Sequence, residues 1–209
     1  MNNNHPISLD EKSLATGVAI LCETDSDLQE VVVRFGLPPL WAREPSFASL
    51  LKIILEQQVS LASAQATYDK LNNAVDQITP QEFLKFNDAE LKGFGFSRQK
   101  TRYVRILSDA LLSVAFDLDA LKILDDESVH QELTKLTGIG PWTANIYLLM
   151  ALRRPDIWPP GDIALAKAMQ QVKKLNARPN NDEQLRIAQA WKPWRSVAAR
   201  ILWHHYLSS

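Results

Sequence analysis

LTGIGPWTA, Leu136 to Ala144, is the stretch on which the reading of this chain turns. One helix ends before it, Gly138 and Gly140 make a tight turn, and Pro141 opens a second helix that continues through NIYLLMAL. Glycine permits positive φ and lets a backbone approach another molecule closely. The unpaired N–H groups of the second helix's first turn point outward, where the helix dipole favours an anion. Such a turn holds a phosphate through main-chain groups and so reads a backbone, not a base sequence. A bare GxG also closes many ordinary helix–turn–helix connections; the full string, with its apolar helix behind it, is far more specific.

Outward from the hairpin nearly every segment has helical periodicity. In 47–71, Phe47, Leu50, Leu51, Ile54 and Leu55 share one face, and Ser60 is placed to cap a second helix after a break near Val59. Pro80 sits at a first-turn position of a helix over 80–92, ended by Gly93 and Gly95. Further helices are expected at about 98–114, 128–136, 142–152, 162–175 and 182–207. No convincing alternating strand and no solenoid repeat is present. The class is all-α. The polar first dozen residues are expected to fray. The Pro-rich stretches LPPL (37–40) and RPDIWPPGD (154–162) are the expected joints between two helical lobes.

Hydrophobic residues make up 46 % and charged residues 22 % of the 209, as in ordinary globular proteins. No apolar run reaches the roughly 18 residues that span a bilayer, and the first residues lack the pattern of a secretory leader. Cys22 is the single cysteine, which excludes an internal disulfide, a zinc ribbon and a four-thiolate cluster. An intracellular location is the expectation. The net charge of −1 conceals an asymmetry. Residues 1–40 carry six acids (Asp10, Glu11, Glu23, Asp25, Asp27, Glu30) against Lys12 and Arg34. Residues 163–209 carry eight bases (Lys167, Lys173, Lys174, Arg178, Arg186, Lys192, Arg195, Arg200) against Asp182 and Glu183. Arg98, Lys100, Arg102 and Arg105 crowd GFGFSRQKTRYVR with no acid among them. Local sign governs phosphate binding more than net sign, although solvated helix faces explain such runs equally well.

LTGIGPWTA resembles the helix–hairpin–helix of the HhH-GPD DNA glycosylases, which pair it with a Gly/Pro-rich loop and an aspartate. WPPGD, ending at Asp162, stands where that resemblance requires. PSFASLLKIILEQQVSLASA (45–64) and WKPWRSVAARILWHHY (191–206) are similar to the alkylpurine, or 3-methyladenine, branch. The likeness covers about 38–207. It implies one glycosylase domain over 1–209. A middle lobe of about 47–155 and a second lobe of about 10–46 plus 156–209 would flank a cleft for DNA and a flipped base.

What the resemblance implies about chemistry can be set beside what the residues support. Aspartate before a helix is most often an N-cap; the resemblance makes Asp162 the catalytic carboxylate as well, and the two roles are compatible because a helix N-terminus favours the ionised form. Bifunctional relatives carry a lysine two residues after the hairpin's second glycine; here Trp142 stands there, which implies a monofunctional enzyme that leaves an abasic site. Purines alkylated at N3 or N7 are cationic and leave readily. Trp142 and Trp203 are implied as pocket walls, with Trp41, Phe47 and Tyr147 as weaker candidates, and a cation between such rings gains about 0.5–2 kcal/mol. Trp191 and Trp194 read as core.

Relatives insert an apolar side chain into the vacated base stack; Gln58 stands at the matching position, departs from that pattern, and reads equally well as an ordinary polar turn residue. Gly138, Gly140, Thr143, Lys135, Arg98, Lys100 and Arg102 are the expected DNA contacts. The family hairpin tends to bind a monovalent cation through backbone carbonyls, here about 135–140; no metal bound by side chains is expected, since His204 and His205 are helix neighbours pointing about 100° apart. The expected partner is double-stranded DNA with a damaged base, bound by a monomer. The alternatives are a glycosylase for a deaminated or oxidised purine, and a non-catalytic hairpin module that only binds DNA.

Overall fold

The computed structural model describes residues 7–209, and among them every regular element is helical. In chain order these are α1 (Glu11–Thr24), α2 (Ser26–Phe35), α3 (Phe47–Glu56), α4 (Leu61–Asn72), α5 (Pro80–Lys85), α6 (Asp88–Phe94), α7 (Arg98–Leu112), α8 (Asp126–Thr134), α9 (Pro141–Met150), α10 (Ile163–Val172), α11 (Asn181–Ala188) and α12 (Arg195–Ser208), with single 3₁₀ turns at Ala120–Lys122 and Gln189–Trp191. The chain divides into two compact units: residues up to 42 with 148–209, and Arg43–Tyr147. The division falls inside α9. Residues 154–162, read as a joint, lie within the first unit.

The first unit is built around α12, against which α1, α2 and α10 pack. Residues 196–203 of α12 are buried on every side, as expected of a central helix and not of an amphipathic surface one. Arg200 lies in that run with no exposed surface. Its guanidinium donates to the carbonyls of Leu40 (2.9 Å), Ser196 (3.0 Å) and Leu149 (2.7 Å). Burial lowers its pKa to about 10, so it remains charged at neutral pH. A second polar anchor is Asp25, which caps α2 and accepts from both the Lys173 ammonium (2.8 Å) and the Trp191 indole (2.8 Å).

In the second unit α3 presents Leu50, Leu51, Ile53, Ile54 and Leu55 to the core and packs on α4 and α7. Ser60 caps α4, and Pro80 opens α5 behind the Thr79 cap. The expected helix over 80–92 is two, because Asn87 and Glu90 form a capping box that starts α6 afresh. The expected helix over 182–207 is likewise interrupted, by the turn at Gln189–Trp191 and by Pro193, which cannot continue a helix. Residues 1–6 of the segment expected to fray lie outside the described residues. Its remainder is fastened: Leu9 is buried and its N–H donates to Arg153 O (2.7 Å), and Ser13 closes a capping box with Asp10.

Candidate active site and nucleic-acid interface

The hairpin lies in the second unit. After α8 the chain tightens through Leu136 N–H to Leu133 O and Ile139 N–H to Leu136 O. Gly138 has φ +97°, and a Cβ there would run into the Tyr103 ring, so the turn needs glycine for both conformation and space. Gly140 differs: it is exposed, its φ is not left-handed, and a Cβ would meet no protein atom. The clear space above Gly140 opens towards solvent.

Gln57 fastens this turn. Its Nε2 donates to Gly138 O (2.9 Å) and to Thr143 Oγ1 (2.8 Å). Thr143 is thereby corrected from a phosphate contact to a buried anchor of the hairpin. Gln58, the next residue, is exposed at φ +55°, a conformation costly for any residue with a Cβ. Lys100 is also corrected. Its ammonium donates to Leu55 O (2.6 Å) at the carbonyl end of α3, and desolvation lowers its pKa. Arg98 and Arg102, one turn apart on α7, remain exposed, and both line a cavity of about 720 Å³ with Lys92 and Arg105. Lys135 is exposed and pairs with Glu132 (2.6 Å).

Asp162 lies in the first unit. Trp158 is buried against Trp191, Pro159 and Pro160 stiffen the chain, and Gly161 at φ +86° turns it into α10. Asp162 caps that helix: Oδ1 accepts from Leu165 N–H (2.9 Å) and, over a longer 3.4 Å, from the Trp203 indole. The carboxylate is half-buried and lines an open cavity of about 670 Å³ shared with Gly161, Ile163, Arg178, Asn181 and Gln184. A backbone amide, an indole N–H and the start of a helix together fix the orientation of this carboxylate.

Of the proposed aromatic residues, the structure joins Trp203 to Asp162. Trp41 is half-buried at φ +46°, with its ring edge-on to His204 at 6.4 Å. Trp142 is half-buried at the second position of α9 in the other unit. Phe47 and Tyr147 are core. Phe47 packs against Phe83 at 6.4 Å; Tyr147 is fully enclosed, and burial, followed by the Asp119 charge, pushes its phenol pKa up. Trp191 is buried and Trp194 half-buried. No metal-binding cluster of His, Cys, Asp and Glu occurs among the described residues. The sequence reading missed Gln57, Asp25 and Arg200. Gln57 had a signal, the doubled glutamine after an apolar helix; the others had none, because their partners are distant in sequence.

Residues 51–196 match the family described as HhH-GPD superfamily base excision DNA repair protein. A putative DNA-3-methyladenine glycosylase of Bacillus subtilis is 28 % identical over 162 residues, covering 74 % of this chain and 56 % of that protein. A second B. subtilis relative, a DNA-3-methyladenine glycosylase, is 28 % identical over 180 residues, covering 80 % of this chain and 57 % of its own length. The chain thus spans little more than half the length of these relatives. Among solved structures, the DNA-3-methyladenine glycosidase of Bacillus halodurans superposes with a TM-score of 0.72 at 27 % identity, covering 96 % of this chain and 91 % of that one. The Schizosaccharomyces pombe 3-methyladenine DNA glycosylase in complex with abasic DNA gives 0.83 at 24 % identity, over 90 % and 95 %, a likeness of fold.

Proposed function

The chain belongs to the HhH-GPD superfamily of base excision DNA repair proteins, and on that premise we propose that it is a monofunctional DNA glycosylase for alkylated purines of the 3-methyladenine and 7-methylguanine type. The observation that carries this reading is Asp162, held through Oδ1 by Leu165 N–H and the Trp203 indole at the start of α10. The hairpin binds the backbone of duplex DNA through its main-chain groups, with Gly140 open to a phosphate and Arg98 and Arg102 adding charge. The damaged nucleotide leaves the stack and is gripped by aromatic rings of the first unit, Trp203 foremost, with Trp41 as a further wall. Gln58 enters the vacated space.

The bond from C1′ to the purine nitrogen then breaks, with its electron pair leaving on the base. Positive charge builds over C1′ and the ring oxygen, and the Asp162 carboxylate stabilises it as it develops. Water supplies a hydroxyl to C1′ and loses a proton, leaving an abasic site. An alkylated base is already cationic and departs neutral, so no general acid is needed. Trp142 has no amine to form a Schiff base, and strand cleavage does not follow. The names of the relatives support the substrate class. A monovalent cation held by the hairpin carbonyls of about 135–140 belongs to the same proposal; Leu136 O accepts from Ile139 N–H and Gly138 O from Gln57 Nε2, and a carbonyl oxygen carries two lone pairs. The protein acts as a monomer in the compartment that holds DNA; among the described residues no helix is long and apolar enough to cross a membrane.

The test is release of free bases from methylated, deaminated and oxidised duplexes by the wild type and Asp162→Asn. Methylated purines should be released fastest. The variant should lose at least about 10²-fold in rate, the scale of a lost electrostatic contact in a transition state, while binding an abasic-analogue duplex almost as tightly. Equal release by the two proteins would remove Asp162 from the chemistry, and no release by either would leave only a DNA-binding module.

A further inference from the structure

The loop that delivers Asp162 is held to one helix at both ends. At its start, Ser196 Oγ accepts from Ile157 N–H (2.9 Å) and donates to Ile157 O (3.2 Å), and Ser196 N–H donates to Pro155 O (3.0 Å). Beside it, Arg195 grips Asp156 with Nε to Oδ1 (2.8 Å) and one terminal nitrogen to both Oδ2 (3.0 Å) and the backbone O (2.8 Å). At the loop's end the Trp203 indole reaches Asp162 Oδ1. All three anchors lie on α12. Trp203 follows Ser196 by seven positions, about 10 Å of rigid helix, and between the matching attachment points run only Trp158, Pro159, Pro160 and Gly161. Two prolines remove much of the loop's freedom, and Trp158 is buried against Trp191. A short stiff loop attached at both ends to one helix holds its last residue at a distance set by that helix.

We infer that Ser196 and Arg195 are positioning residues for Asp162, acting through the backbone of Pro155–Ile157 and never touching the substrate. This rests on the glycosylase reading above. Ser196 has no exposed surface, yet its hydroxyl makes both bonds to a single residue of the loop. Ser196 is the second residue of α12, and its hydroxyl turns away from that helix to both backbone groups of Ile157 in the loop. The consequence is specific. Loss of the anchor lets Asp162 drift relative to the sugar, and misplacement by about 1 Å costs about 10²-fold in rate. The hairpin, in the other unit, keeps its own fastening through Gln57.

The experiment measures single-turnover release of 3-methyladenine from methylated duplex DNA, with the Kd for a duplex carrying a tetrahydrofuran abasic analogue, both below the melting midpoint of every variant. Ser196→Ala should slow release by about 10- to 100-fold with Kd within about twofold. In the Asp162→Asn background it should cause no further loss, because the group it positions is already gone. A packing defect alone would lower the midpoint and leave the rate normal, or add to the Asp162→Asn loss. Arg195→Ala, at a half-buried position, carries the test if the Ser196 variant does not fold, with a loss of roughly 3- to 10-fold for a weakened hold on the same loop. Rates within twofold of wild type, or parallel losses in rate and Kd, overturn the inference. A wild type that releases no base defeats the glycosylase reading and this inference with it; an active wild type with unaffected variants defeats this inference alone.

Discussion

The hairpin of the second unit and the aspartate loop of the first are both short Gly/Pro turns feeding a helix N-terminus, but they are held in different ways. The hairpin is shaped by backbone: Gly138 at positive φ against the Tyr103 ring, with one amide side chain, Gln57, fastening it. The aspartate loop is shaped by side chains from α12, about forty residues further along: Arg195, Ser196 and Trp203. Contact with a uniform phosphate backbone needs only main-chain groups in the right conformation. Stabilising a charge at one carbon needs one carboxylate at one distance, which a loop cannot keep unaided.

Gly138→Ala breaks the hairpin half most severely. It combines a strained φ with a clash against a ring, at roughly 3 kcal/mol or more, and DNA affinity should fall with the melting midpoint. Gly140→Ala sharpens the result. Its Cβ meets no protein atom, so stability should change by less than about 0.5 kcal/mol; a loss in affinity for duplex DNA, read by fluorescence anisotropy, then reports the approach of a phosphate.

The first unit should instead respond to pH. Burial alone would raise the Asp25 carboxyl, but the Lys173 ammonium, the Trp191 indole and the Leu28 amide together hold it below the ordinary value of 3.8. A carboxylate with a depressed folded pKa contributes stability that is full above that ordinary value and disappears as pH falls through the folded one. Asn at position 25 keeps one oxygen to cap α2 and loses the charge together with the second acceptor, the oxygen to which the Trp191 indole donates. Asp25→Asn should therefore cost on the order of 2–3 kcal/mol near neutral pH, with Asp27 still pairing Lys173. The difference in melting midpoint between wild type and variant should shrink as pH drops below about 4. A constant difference through the acid range would remove the charge from the account.

The smallest effect is expected for Trp203→Phe. An aromatic wall remains and the indole N–H to Asp162 is lost, about 1 kcal/mol for a long hydrogen bond, or roughly fivefold in base release. Loss of binding instead of rate would make Trp203 a wall alone.

How much was legible follows from how local each cause is. The break between α3 and α4 at Ser60, the start at Pro80 and the Asp162 cap are settled within four residues, and each was read correctly. Asn87 and Glu90 carried an equally local capping box, but the apolar stripe of Leu84, Phe86 and Leu91 runs across it and hid the break. Arg98, Lys100 and Arg102 look alike in sequence; only packing shows that Lys100 is turned onto Leu55 O while the other two face solvent. Phe47 and Tyr147, weaker candidates for a pocket than Trp203, are buried as Trp203 is; only the packed structure shows that the Trp203 indole alone of the three meets Asp162.

By itself the sequence determined the helical class, most of the turns and caps, and the two motifs on which the proposed function rests, because glycine, proline and capping residues act on the few bonds beside them. The tertiary structure alone decided which side chains face a ligand and which are consumed inside, and how Asp162 is held. Those outcomes depend on groups about forty or more residues apart, and no local rule constrains which of them meet until the helices have packed.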